Sequence, residues 1–179
     1  MFRLDVSPAL RLEFLREDDA PALFALTEAN RERLRKWLPW VDDIRAEGDT
    51  LRFIQAAREA FLRSGCAACG VWTGGRLAGV AGHNRIDRHN RTAYLGYWLG
   101  NEFTGRGLMT DSVRALVGHA FAALHLNKVV ILVATGNARS QAIPDRLGFV
   151  REGVLRDGEQ LYGRFVDSTV NGVLKRDWR

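Results

Sequence analysis

The stretch from Thr92 to Val133 limits what this chain can fold into more than any other. It opens on Thr92-Ala93-Tyr94-Leu95-Gly96-Tyr97-Trp98-Leu99, a strand-like run, and passes through a loop holding Gly105 and Gly107. Apolar residues then recur at Met109, Val113, Leu116, Val117, Ala120, Phe121 and Leu124, the steps of an amphipathic helix. Val129-Val130-Ile131-Leu132-Val133 follows, a continuous apolar run of the kind strands show when both faces are covered. Strand, helix and strand in this order predict a parallel pair joined by a right-handed crossover.

Around this unit the pattern is shorter-ranged. Cys66 to Trp72, Leu77 to Ile86 and Thr92 to Leu99 are strand runs separated by Thr73-Gly74-Gly75 and Asp87-Arg88-His89-Asn90. They predict an antiparallel meander with a tight glycine turn. Weak alternation over Arg11 to Leu15 predicts a first strand, and Glu17-Asp18-Asp19-Ala20-Pro21 suits a helix's first turn. A second helix starts near Gly48-Asp49-Thr50 and ends at Ser64-Gly65; its stripe of Phe53, Ile54, Ala57, Ala60 and Phe61 reads as core. A short helix is expected from about Asn137 to Leu147, kinked or cut short by Pro144, which lacks an amide and frees the Ser140 carbonyl. A strand from Phe149 to Leu155, an Asp157-Gly158 turn and a last strand within Leu161 to Leu174 complete the reading. The expected architecture is α/β, a mixed sheet flanked by helices, in one domain over residues 1–179.

Several function classes fall away on composition. Apolar residues at 46% and charged residues at 26% match a soluble globular protein. No apolar run reaches the length of a signal peptide or bilayer span, so a cytoplasmic protein without membrane association is expected. The formal charge of +5 favours anionic partners, yet the arginines are scattered, and no basic block marks a nucleic-acid tail. Cys66 and Cys69 form a lone C-x-x-C inside a strand run, and the histidines at 83, 89, 119 and 125 lack ligand spacing. No metal is expected.

The loop from Asn101 to Thr110 is the candidate site. Opening a helix, it presents free amides and the positive end of the helix dipole, which suits a phosphate or diphosphate. Gly105 and Gly107 let an anion approach those amides, and Arg106 adds charge at the rim. Two glycines also serve a plain strand-to-helix turn, and the spacing does not separate these readings. A P-loop needs Gly-Lys-Ser/Thr, and a dinucleotide fingerprint needs a third glycine; neither is present.

Tyr97-Trp98-Leu99-Gly100 leading into Glu102-x-x-Gly105-x-Gly107-Leu108-Met109-Thr110 resembles the acyl-CoA loop of the GNAT superfamily of N-acetyltransferases, Q/R-x-x-G-x-G/A, with Glu102 departing from its first position. Asn137-x-x-Ser140, Arg146-Leu147-Gly148-Phe149 and Glu152-Gly153 resemble further motifs of the same enzymes. The likeness extends through Asp157-Gly158-Glu159, Gly163-Arg164-Phe165-Val166-Asp167 and Lys36-Trp37-Leu38-Pro39-Trp40, in the pattern of the RimJ/RimL type that acetylates protein N-termini.

The resemblance implies a mostly antiparallel sheet with one splayed parallel pair, into which the pantetheine arm of acetyl-CoA enters. It implies cofactor contacts from Trp98, Leu99, Gly100, Thr104, Gly105, Arg106, Gly107, Leu108, Met109, Thr110, Asn137 and Ser140. A backbone amide near Trp98, Leu99 or Gly100 is expected to polarise the thioester. Glu159 takes the place of the general base, and Ser140 that of the donor to the departing thiolate. Without the resemblance, Glu159 reads as a solvated charge, and Ser140 and Asn137 as local backbone partners in a helix's first turn. Trp37 and Trp40 are expected to wall the acceptor site, although aromatic core packing explains them too. Asp167 either orients the acceptor or supports the last strands. The acceptor implied is a protein N-terminus of the ribosomal-protein type, whose α-amine at about 7.7–8.0 is more often neutral than a lysine. A small-molecule amine acceptor and a non-catalytic acyl-CoA-binding module remain open alternatives, and a homodimer is the partner state the resemblance suggests.

Overall fold

The computed structural model describes residues 2–179. Along these residues run β1 (Arg3–Ser7), β2 (Leu10–Phe14), α1 (Ala20–Glu28), α2 (Arg31–Arg35), α3 (Glu47–Ser64), β3 (Ala68–Thr73), β4 (Arg76–Asp87), β5 (Thr92–Leu99), α4 (Leu108–Ala122), β6 (Lys128–Ala134), α5 (Ala138–Arg146), β7 (Val150–Leu161) and β8 (Arg164–Leu174). The strands make one sheet in the order β1-β2-β3-β4-β5-β6-β8-β7. Every neighbouring pair is antiparallel except β5 and β6, the parallel pair predicted from the run between Thr92 and Val133.

The crossover helix α4 anchors that pair. Its Val113, Leu116, Val117 and Ala120 are fully buried in one cluster with Val129 and Ile131 of β6 and Ala93 and Leu95 of β5. Burial of each larger side chain stabilises the fold by about 1.5–3 kcal/mol. The apolar run of β6 is covered on both faces except at Leu132, which is 47% exposed. Cys69 is buried on β3, where desolvation pushes its thiol up to about 12, so it behaves as a small apolar residue.

Four expectations need correction. The N-terminal strand is preceded by another, β1, a five-residue edge strand in which Leu4 and Val6 alternate with exposed Arg3, Asp5 and Ser7. Helix α2 has five residues, too few for a periodic stripe to register. On α3, Ile54 is core as expected, but Phe53 is 39% exposed and faces a cavity described below. Asp157-Gly158 does not end a strand: β7 continues to Leu161, and the hairpin turn is Tyr162-Gly163, both at positive φ.

Within β7, Asp157-Gly158 forms a bulge. Leu155 lies opposite Ser168 and Glu159 opposite Val166, so three residues span the single Asp167. Asp157 adopts φ 50°, and its amide donates to Asp167 Oδ1 at 2.9 Å. Asp tolerates the left-handed region in a bulge as well as in a turn, which is why the dipeptide alone does not tell them apart. Among the described residues no helix is long and apolar enough to cross a bilayer.

Candidate active site

The parallel strands separate halfway along. β5 and β6 pair from Thr92↔Lys128 to Leu95↔Ile131 and no further, while Gly96 to Leu99 stay paired with β4. Gly100 N–H donates to the Ala78 carbonyl at 2.8 Å, so that amide is taken. Antiparallel pairing alternates, which gives the Trp98 amide to β4 as well and turns the amides of Tyr97 and Leu99 toward the gap. Of the three donors expected from Trp98, Leu99 and Gly100, only Leu99 has its N–H on the open side. Its carbonyl on that side accepts from the Arg33 guanidinium of α2, and Asn101 N–H donates to Asn30 Oδ1 at 2.8 Å. These bonds tie the end of β5 to the α1–α2 corner.

The loop beyond β5 has the backbone that its glycines predict. Gly105 and Gly107 take φ of 78° and 77°, and a side-chain carbon at Gly105 would meet no protein atom within 4 Å. The first helical bond of α4 runs from Asp111 N–H to the Gly107 carbonyl, 3.0 Å. The amides of Leu108, Met109 and Thr110 precede it and are left over for an outside acceptor. Buried Phe103 and Met109 pin the loop at both ends, while Arg106 is exposed. The Thr104 hydroxyl donates to Asn101 O at 2.8 Å, a bond within the loop. Glu102, the departure from the motif, is paired: Arg76 reaches both its carboxylate oxygens at 3.0 Å. The acidic side chain is thereby held toward β4 and its charge is offset.

On the α5 side of the gap, Asn137 Oδ1 accepts from Ser140 N–H at 3.3 Å and caps the helix. Pro144 supplies no amide for the Ser140 carbonyl, and the Tyr97 hydroxyl donates to it instead at 3.2 Å. The Ser140 hydroxyl in turn lies 3.3 Å from the Tyr97 oxygen. Tyr97 is partly buried, with its phenol pushed up to about 12 by desolvation, so it meets Ser140 as a neutral hydroxyl. Sequence reasoning missed this residue, because nothing in a strand tyrosine announces a partner 43 positions away. Tyr97→Phe is expected to lower stability by about 1–3 kcal/mol, read as a fall of roughly 2–4 °C in Tm per kcal/mol. Adding Pro144→Ala, which restores an amide for the Ser140 carbonyl, should recover part of that loss.

Glu159 lies on the other face of the sheet. Register links Glu159 with Val166, Ser168 with Ala134, Val170 with Leu132, Gly172 with Val130, and Val130 with Tyr94. Side chains alternate along a strand, so Glu159 shares a face with Gly96 and Trp98, while Tyr97 points to the face of Ser140. Glu159 is half-buried, and desolvation raises its pKa above the ordinary 4.5.

The same face carries a cavity of about 350 Å³ walled by Trp40, Trp98, Phe53, Ile44, Val80 and Asn84. The rings of Trp40 and Trp98 lie 6.1 Å apart. Trp40, one of the two tryptophans expected at the acceptor site, lines this cavity. The Trp37 ring lies beside Gly136 and is not part of the cavity wall. The Asp167 carboxylate accepts from the Asp157 amide of the β7 bulge at 2.9 Å, a contact that supports the last strands. Asn84, at a register shift in β4, lies over Gly96, and a β-carbon there would clash with the Asn84 amide. Neither Asn84 nor Phe53 was legible as a site residue, since a bulge and an open helix face leave no local signal. Among the described residues no cluster of metal-ligating side chains forms.

Known proteins share this arrangement over nearly the whole chain. An acetyltransferase (GNAT) domain model matches residues 9–150. The putative ribosomal N-acetyltransferase YdaF of Bacillus subtilis is 36% identical over 99% of this chain and 98% of its own length. RimL, a ribosomal L7/L12 alpha-N-protein acetyltransferase solved with coenzyme A, superposes with a TM-score of 0.93 at 29% identity, covering 97% of this chain and 98% of its own. The microcin C7 self-immunity acetyltransferase MccE, solved with acetyl-CoA and AMP, gives 0.92 at 27% identity over 96% and 95%. A sheet that parts between its parallel strands beside a glycine loop opening a helix is therefore a shared frame, and the chain belongs to the GNAT family of acetyltransferases.

Proposed function

We infer that this enzyme transfers the acetyl group of acetyl-CoA to the N-terminal α-amine of a protein by direct attack in a ternary complex. One observation carries the reading: β5 and β6 part beyond Leu95 and Ile131, next to a glycine loop whose Leu108, Met109 and Thr110 amides are left over, with the Ser140 hydroxyl held by Tyr97 on one face of the sheet and Glu159, its pKa raised by burial, on the other. Direct transfer needs a proton acceptor on the amine side and a proton donor on the thiol side.

The residues fit acetyl-CoA, which supplies the activated acetyl group when bound. The left-over amides of Leu108, Met109 and Thr110, at the positive end of α4, suit its diphosphate, and the open approach over Gly105 leaves room for it. The unpaired edge of Gly96 to Leu99 offers strand-like hydrogen bonds to the amides of an extended arm. Leu99 N–H is the donor for the thioester oxygen, Ser140 the donor for the departing sulfur, and Glu159 the acceptor for the amine proton. Holding both reactants at the opening removes much of the entropic barrier. The relatives named as ribosomal-protein acetyltransferases support an α-amine acceptor over a small amine.

Release of free thiol from acetyl-CoA in the presence of short peptides tests the reading. Peptides with a free N-terminus should support turnover, with the acetyl group on the α-amine by mass spectrometry, and N-terminally blocked peptides bearing lysine should not. Turnover of polyamines or aminoglycosides alone would favour the small-molecule alternative.

A further inference from the structure

The cavity on the Glu159 face says something about the acceptor beyond its amine. Its volume of about 350 Å³ lies within the roughly 300–1,000 Å³ of sites that enclose a ligand group. Trp40, Phe53, Trp98, Ile44, Leu38 and Leu23 supply its large apolar side chains, and the only charged side chain in the lining is Asp43, itself exposed. The Thr27 hydroxyl, also in the lining, is already engaged with the Leu23 carbonyl at 2.9 Å. A charged group placed here would lose its water and meet no buried counter-charge; the unpartnered Thr50 hydroxyl and the Asn84 amide are the polar points of a lining that is otherwise mainly apolar. Phe53 remains 39% exposed on an otherwise half-buried helix face, an apolar surface left for something to cover.

The cavity also adjoins the opening in the sheet, because Gly96 and Trp98 belong to both. A group seated in it lies next to the amine presented at Leu99. We propose that the preferred acceptor carries a bulky apolar group, aromatic or branched aliphatic, beside its amine; for a protein N-terminus this is the first side chain, an assignment that rests on the reading above. Asp43 at the rim then meets the incoming ammonium, and the aromatic walls meet the side chain.

The test measures kcat/KM with acetyl-CoA for peptides differing only in a first residue of Phe, Leu, Ser, Gly or Glu, alongside phenethylamine. Phe and Leu peptides are expected to exceed Gly and Ser peptides by about 10- to 200-fold, the range one buried apolar group discriminates. Phe53→Glu should erase that preference, with acetyl-CoA binding by calorimetry as the check on folding. Ala68→Leu, which fills the cavity from β3, should shrink it if the first variant does not fold. Equal rates across the first residues overturn the proposal and leave α-amine acetylation standing. Turnover of phenethylamine without any peptide sinks the protein acceptor and keeps the apolar group. Octanoyl-CoA outrunning acetyl-CoA, with no dependence on the acceptor, would assign the cavity to the acyl chain and also overturn it.

Discussion

Glu159→Gln is expected to lower kcat by about 10²- to 10⁴-fold, the contribution of a positioned general base, while acetyl-CoA affinity changes less than twofold. The substitution keeps size and shape and removes only the proton-accepting charge. Because burial raises the Glu159 pKa, the acid limb of the wild-type kcat/KM profile should lie above the ordinary carboxylate value of 4.5 and vanish in the variant. Stability separates loss of chemistry from loss of fold. A carboxyl with a raised folded pKa holds its proton more tightly in the native state, so stability is lost as pH rises from the ordinary value of 4.5 through the folded value and stays lost above it. The variant should therefore be as stable as wild type or more so near neutral pH, and the difference should close as pH falls to 4.5 and below. Full activity of Glu159→Gln across pH would show that another group takes the proton.

The second large effect is expected at Gly107. At φ 77° it is the residue before α4, and a β-branched side chain is strained there. Gly107→Val should cost about 1–3 kcal/mol in backbone strain, or else shift the loop to relieve it. Either outcome displaces the amides of Leu108, Met109 and Thr110 relative to β5. Acetyl-CoA affinity should fall at least 30-fold by calorimetry, against a Tm decrease of roughly 2–10 °C. Gly118, a helix glycine on α4 with no neighbour to meet a β-carbon, is the control; Gly118→Ala should leave affinity unchanged and raise stability slightly. Unchanged affinity in Gly107→Val would mean that the loop does not hold the diphosphate.

What could be read early and what could not divides along contact range. The meander, α3, α4, β6 and the glycine loop were legible because each is written in neighbouring residues, as a stripe at helical steps, a continuous apolar run, or a residue suited to positive φ. Pro144 announced a free Ser140 carbonyl for the same reason, since the missing amide is a property of one residue. Trp40 and Trp37 look alike in Trp37-Leu38-Pro39-Trp40, yet one walls the cavity and the other packs on Gly136. A loop's path across the sheet is not encoded in its own few residues.

The sequence by itself determined the parallel pair, the helix that covers it and the left-handed glycines of the loop, because local sterics and hydrophobic periodicity act over a few bonds. Only the tertiary structure decided that Asp167 braces a bulge, that Tyr97 holds Ser140, and that Glu159 and Ser140 take opposite faces. Those outcomes depend on strand register, and a shift of one residue moves a side chain to the other side of the sheet. Register is settled by packing summed over the whole sheet, so it appears only once all eight strands are in place.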